Sequence, residues 1–233
     1  MPTATPAPTA TPTPAPTATP TATPTPVPIE APESAWGCFF DRASVVPPDN
    51  YPVTRCGWHG PIGPFSKFPR ISLYAIDGGS DAWRAEMVAV LAETGALADI
   101  RFVEATQLQR ERASVHLIIE FVDAALVDCV GVAREGCGQE IWGREPGRVW
   151  IAERRPVSAG LLRHELLHAM AFVHAQSGIM DVEHAPGEYS EQDLEMLRLY
   201  AAIPRWLPEA DIRARACIGS GGVCDIPYTG GQI

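Results

Sequence analysis

His164-Glu165-Leu166-Leu167-His168-Ala169-Met170-Ala171-Phe172-Val173-His174 reads HExxHxxxxxH, and Met180 stands six residues past its last histidine, in Ser177-Gly178-Ile179-Met180. Residues four apart on a helix lie one above the other, so His164 and His168 can offer both imidazoles to one ion. Glu165 is about 100° round the helix from His164, beside the ion rather than on it. That is the place for a general base acting on an attacking water. His174 comes after the helix has to stop and can fold back as the third ligand. Three nitrogen ligands with one position left open are what a hydrolytic zinc ion requires. Leu162, Leu166 and Ala169 project opposite the two histidines, so the helix has a buried back and a ligand face, and Ser158 to Arg163 leads into it.

A bare HExxH is a short pattern, and a core helix with incidental histidines is the competing reading. The third histidine, the glycine-led turn with its methionine and the helix lead-in favour a metal hydrolase. His184, in Asp181-Val182-Glu183-His184, is an alternative third ligand and otherwise a residue of the cleft wall. Glu188 lies 20 residues after His168 and is another, but such a glutamate must project from a helix, which Pro186-Gly187 opposes. His59 and His116 have no ligand-spaced neighbours and read as a loop and a strand histidine.

The chain has 233 residues, and apart from Met1 and Val27 its first 28 are proline, threonine and alanine. Such a stretch has no apolar face and predicts an extended, polyproline-like tether over 1–33. Residues 34–67 are rich in Pro, Gly and aromatics with little periodicity and read as an irregular N-terminal wrap. Residues 68–204 have the pattern of one compact domain, and 205–233 that of a C-terminal tail. No apolar run is long enough for a transmembrane helix, and a signal or anchor is expected upstream of Met1. A formal charge of −10, with Lys67 the single lysine, excludes nucleic acid as the expected partner.

Six cysteines fall in three near pairs: Cys38 with Cys56, Cys129 with Cys137, and Cys217 with Cys224. Close pairs close the cheapest loops, and none has CxxC spacing. Beside a Pro/Thr tether they predict disulfides and an extracellular or surface-tethered chain; free buried thiols are the alternative.

Within the domain the alternation predicts a strand at 71–76, turned by Asp77-Gly78-Gly79. A helix follows over 81–97, with Trp83, Met87, Val90, Leu91 and Leu97 as its apolar stripe. Further strands are expected at 100–104, 115–121 and 148–152, with a short edge strand between Cys129 and Trp142. Ser190-Glu191-Gln192-Asp193 starts a last helix, which Pro204 ends. The fold class is α/β, or α+β: a mixed, mostly parallel twisted sheet with long helices.

The segment from His164 to Met180 resembles the zinc-binding region and Met-turn of the metzincin metallopeptidases, most closely the matrixin branch, and the element order over 68–204 is similar to their catalytic domain. The resemblance implies that His164, His168 and His174 bind catalytic zinc, that Glu165 is the general base, and that Met180 forms a floor beneath the metal. It also implies a cleft walled by residues such as Ile179, His184 and Tyr189. This chain has Ala171 where the family has glycine, a shorter interval from His174 to Met180, and Val182 where astacin- and serralysin-like members have tyrosine. Arg55-Cys56-Gly57 is similar to the core of the matrixin cysteine switch, in which a thiolate occupies the open zinc position. Its flanks differ from the switch, and a disulfide with Cys38 is the competing reading. Matrixin-like enzymes often bind structural Ca2+, but no EF-hand-type loop is legible here.

The expectation is a monomeric, secreted or surface-tethered zinc endopeptidase acting on peptides or proteins, with an edge strand holding the substrate extended. Two other classes stay open: a catalytically inactive metal-binding surface module, and a zinc hydrolase with a non-peptide substrate.

Overall fold

The computed structural model describes residues 44–45, 53–54, 67–129, 131–141, 145–175, 177–181 and 187–203. The tether, most of the N-terminal wrap, the C-terminal tail, His59, His184, Val182 and the cysteines at 38, 56, 217 and 224 lie outside them.

Two short strands, β1 (Ser44–Val45) and β2 (Val53–Thr54), pair antiparallel ahead of the domain. β3 (Ile71–Asp77) then buries Ser72, Tyr74, Ala75 and Ile76. Helix α1 (Asp81–Leu97) follows, then β4 (Arg101–Glu104), parallel to β3. The apolar stripe expected for α1 is its buried face: Trp83, Met87, Val90 and Leu91 are each at most 2% exposed. A five-residue helix, α2 (Gln107–Glu111), was not expected from the sequence; a Thr106/Gln109 capping box starts it and none of its residues is buried. With so little to bury, it leaves no apolar period to read.

β5 (Leu117–Val122) pairs parallel with β3 and with β9 (Gly147–Ala152). It begins two residues later than expected, because the Leu73 amide donates to the His116 side chain at Nδ1 (2.9 Å). β6 (Val127–Cys129) and β7 (Val132–Arg134) form a hairpin, and β8 (Gly136–Gln139) returns antiparallel along β9. The five-stranded sheet is ordered β4-β3-β5-β9-β8, three parallel pairings and one antiparallel, with β8 as an edge. The architecture is α/β with a mixed, mostly parallel sheet.

Helices α3 (Ala159–Ala169) and α4 (Glu191–Ala202) complete the domain. α1 touches β4, α3 and α4, while α3 lies on β8 and β9. One core joins the layers, from Leu117, Ile119, Val149 and Ile151 on the sheet to Leu162 and Leu166 on α3 and Leu197 and Tyr200 on α4. Each such side chain contributes about 1.5–3 kcal/mol on burial. Lys67 closes the unit, its ammonium donating to the carbonyls of Tyr200, Ala201 and Ile203 at the end of α4. Among the described residues no helix is long and apolar enough to cross a membrane.

Candidate metal centre

The ligand helix is defined at both ends. Ser158 caps it, its hydroxyl accepting from the Leu161 amide at 3.3 Å. At the other end Met170 is the C-cap and Ala171 turns left-handed, with φ +68°. The Ala171 amide then donates to the His168 carbonyl and the Phe172 amide to that of Leu167, both at 2.9 Å. These are the two bonds of a Schellman motif, and Leu167 and Phe172 supply its buried apolar contact. This is the position at which the sequence departs from glycine, and the left-handed turn is kept with alanine in it.

The reversal places two backbone carbonyls against two histidines. His164 Nδ1 lies 2.7 Å from the Ile179 carbonyl and His168 Nδ1 lies 2.9 Å from that of Phe172. A carbonyl only accepts, so both Nδ1 atoms carry the proton, and each neutral ring keeps its lone pair on Nε2. His168 Nε2 lies 3.1 Å from His164 Nε2 and 3.2 Å from His174 Nε2. Lone pairs so placed repel one another, and a cation among them turns the repulsion into attraction. A tetrahedral ion with bonds of ~2.05 Å holds its nitrogens about 3.3 Å apart, close to the separations here. Protonating the rings is the other remedy, and burial opposes it. Burial lowers the pKa of His164, lowers that of His168 well below the usual value, and brings that of His174 down to about 4. His164, His168 and His174 are thus close enough together to hold a metal ion; they are the one such group among the described residues.

Glu165 is buried next to the triad. Burial pushes its pKa up to about 8, against a backbone hydrogen bond from Gly138 and the positive charge of Arg134, which pull the other way. Strand β8 crosses this carboxylate at a distance that admits no side chain. A Cβ at Gly136 would sit 2.7 Å from both Cγ and Oε1 of Glu165, and one at Gly138 would meet the Glu165 carbonyl and, at 2.5 Å, His168 Cβ. Alternate glycines in a strand signal such a close approach. That signal is present in Gly136-Cys137-Gly138, within the segment expected to hold a short edge strand, which β8 is.

The other expected residues divide. Met180 is buried in the core, and its carbonyl accepts from the amide of Ala175, the residue after His174, at 2.8 Å. That bond closes the short interval between the third histidine and the methionine. Ile179, expected to wall a cleft, is fully buried, and its backbone rather than its side chain serves the site. Tyr189 is likewise packed against the core, its hydroxyl 2.6 Å from that of Thr94 on α1 and its ring beneath the Arg163 guanidinium. Ile179 is tied by its amide to Asp193 on α4, and Tyr189 by its hydroxyl to Thr94 on α1. Glu188 is exposed and is not part of the metal-capable group. Cys129 and Cys137 form a disulfide linking β6 to β8.

No family model and no curated protein matches the chain.

Proposed function

We propose that this protein is a zinc-dependent endopeptidase with a metzincin-type catalytic domain, secreted or held at a surface by its Pro/Thr/Ala-rich N-terminus. The observation that carries this reading is the convergence of three histidine nitrogens beside a buried glutamate. Zinc fits the donor set, because three imidazoles suit a borderline-soft ion, and when bound it supplies Lewis acidity to the attacking water and the substrate carbonyl.

The remaining work falls to the chain itself. A cation at the triad would draw the Glu165 pKa back down, and the ionised carboxylate takes a proton from the attacking water and passes it to the leaving amine. Its burial keeps that proton from bulk solvent, and the Gly138 amide orients the carboxylate. The Ile179 and Phe172 carbonyls hold the His164 and His168 rings in the tautomer that presents Nε2. An extended peptide binds by adding a strand at the β8 edge, which borders Glu165.

The test is hydrolysis of denatured protein substrates by the full chain, with chelator, after zinc return, and in Glu165→Gln. Activity should vanish with chelator and come back with zinc. Glu165→Gln should keep its zinc and lose about 10²–10⁴-fold in rate. A variant that loses its zinc would make Glu165 a ligand, and wild-type turnover in Glu165→Gln would remove it as the base.

A further inference from the structure

Cys137 stands between the two glycines that lie against the ligand helix, and it faces the other way. Gly136 and Gly138 meet Glu165 and His168 on α3, whereas Cys137 is buried with Val127 of β6 and Ala152 of β9. Its disulfide to Cys129 joins β8 to the end of β6, eight residues earlier in the chain. β8 is therefore held from both sides, by α3 in front and by the β6–β7 hairpin behind. The hairpin is itself closed by its strand pairing and by the Gly131 amide, which donates to Asp128 Oδ1 at 2.7 Å.

Three properties of β8 give the rear brace its importance. It is an edge strand paired with β9, so its ladder leaves it free to hinge about that neighbour. Glycine at two of its four positions removes the side chains that would wedge it in place and gives its backbone the widest freedom. It also carries the Gly138 amide that donates to Glu165, so its position fixes the carboxylate. The covalent link through Cys137 supplies the restraint that its glycine neighbours cannot.

We propose that the Cys129–Cys137 disulfide is a redox-sensitive clamp that positions β8 against Glu165, so that its reduction slows peptide hydrolysis while the metal stays bound. The clamp rests on the peptidase reading and adds a mode of regulation to that site. The reductant is a dithiol. Its thiolate attacks the sulfur of Cys129, which is half-buried where Cys137 is buried, and Cys137 leaves as a thiolate and takes a proton. The second thiol then displaces Cys129, which is protonated in turn, as the dithiol closes to a cyclic disulfide. Two electrons pass from the dithiol to the protein, and the three histidines take no part.

The test compares the zinc-loaded full chain, oxidised and after reduction by a trialkylphosphine, with Cys129→Ser plus Cys137→Ser and with the milder Cys129→Ser alone. A phosphine adds no thiol to compete for zinc; it takes up the oxygen of one water as the two protein thiols form. Reduction should lower kcat about 10–100-fold with zinc content unchanged. The double variant should match the reduced chain, and phosphine should do nothing further to it. Exchange of the Gly138 amide, followed by NMR in chain labelled at glycine nitrogen, should accelerate about tenfold in each reduced or substituted form. A merely structural disulfide would lower the urea midpoint and leave kcat and Gly138 exchange of the folded chain unchanged, and that result overturns the proposal. So does a loss of activity that phosphine produces equally in the double variant, since it then arises at other cysteines. Unfolding of the reduced wild type, read by circular dichroism, overturns it as well. Each of these leaves the peptidase reading standing. An oxidised wild-type chain that cleaves nothing overturns the peptidase reading, and Gly138 exchange then decides the clamp.

Discussion

Asp193 on α4 accepts a hydrogen bond from the Ile179 amide at 3.1 Å, and Ile179 in turn accepts from His164 Nδ1 at 2.7 Å. A buried carboxylate on the last helix thus orients a metal-capable histidine through the backbone of one residue. The same Asp193 oxygen accepts from the Ser190 amide at 2.8 Å and its hydroxyl at 2.6 Å, so one atom both caps α4 and holds the turn. Gly178 leaves the room for it, since a Cβ there would lie 2.6 Å from Asp193 Oδ2.

Asp193→Ala should therefore lower metal affinity as well as stability. Loss of an outer-shell partner of a ligating histidine costs about 10–100-fold in affinity, and loss of the cap about 0.5–2 kcal/mol. Asp193→Asn keeps one acceptor oxygen and should recover part of both. Chelator competition gives the first quantity and urea unfolding of the metal-free protein the second. An unchanged zinc dissociation constant in Asp193→Ala would show that the Ile179 link does not orient His164.

Ala171 occupies the left-handed region in which a Cβ is unfavourable by about 1–2 kcal/mol. Ala171→Gly should relieve that strain and raise stability by about 1 kcal/mol, after allowance for the greater freedom of glycine in the unfolded chain. A rise in the urea midpoint at constant slope is the expected readout. A fall would mean that the alanine methyl makes a packing contribution larger than the strain.

The two glycines of β8 should fail in different ways. Alanine at Gly136 meets the side chain of Glu165, which can rotate away, so Gly136→Ala should fold and lose activity. Alanine at Gly138 meets the Glu165 backbone, which cannot rotate, so β8 must shift at a cost of about 1–3 kcal/mol. Thermal unfolding and peptide hydrolysis measured side by side separate the two. Equal loss of stability in both variants would contradict the assignment.

Lys67 is a source of pH dependence. Burial first, and then the charge of Arg70, lower its pKa to about 8 from an ordinary 10.5. Between these values the unfolded chain binds more protons than the folded one, so this group makes stability rise with pH from about 8 to 10.5. The rise should appear as the difference between the wild type and Lys67→Met in urea unfolding at pH 7.5 and 9.5. If that difference does not change with pH, the amine is as well solvated folded as unfolded.

Much of the architecture was legible in local pattern. The spacing of Trp83, Met87, Val90 and Leu91 marks the helix they form, and the capping sequence Ser190 to Asp193 marks where α4 begins, because helix period and caps act over a few residues. The metal-capable triad was legible for the same reason in His164 and His168, four residues apart on one helix. Helix α2 and the β6–β7 hairpin were not, since short exposed segments carry little periodicity.

What sequence alone determined here is the chemistry of the candidate site: three imidazoles to hold an ion and one carboxylate beside them, at a spacing that a single helix and its reversal can bring together. What only the tertiary structure decided is which distant groups complete it. The carbonyls of Phe172 and Ile179 have no side-chain signature, because every residue has a carbonyl, and only the reversal after Ala171 and the turn held by Asp193 bring them to the imidazoles. Glu165 acquires its burial from β8, and Ile179 and Tyr189 are drawn into the core by contacts with α1 and α4. Phe172 and His168 are four residues apart, but the contacts of Ile179 and Tyr189 span 14 to 95 residues of chain, so they arise from packing of surfaces that no local pattern encodes.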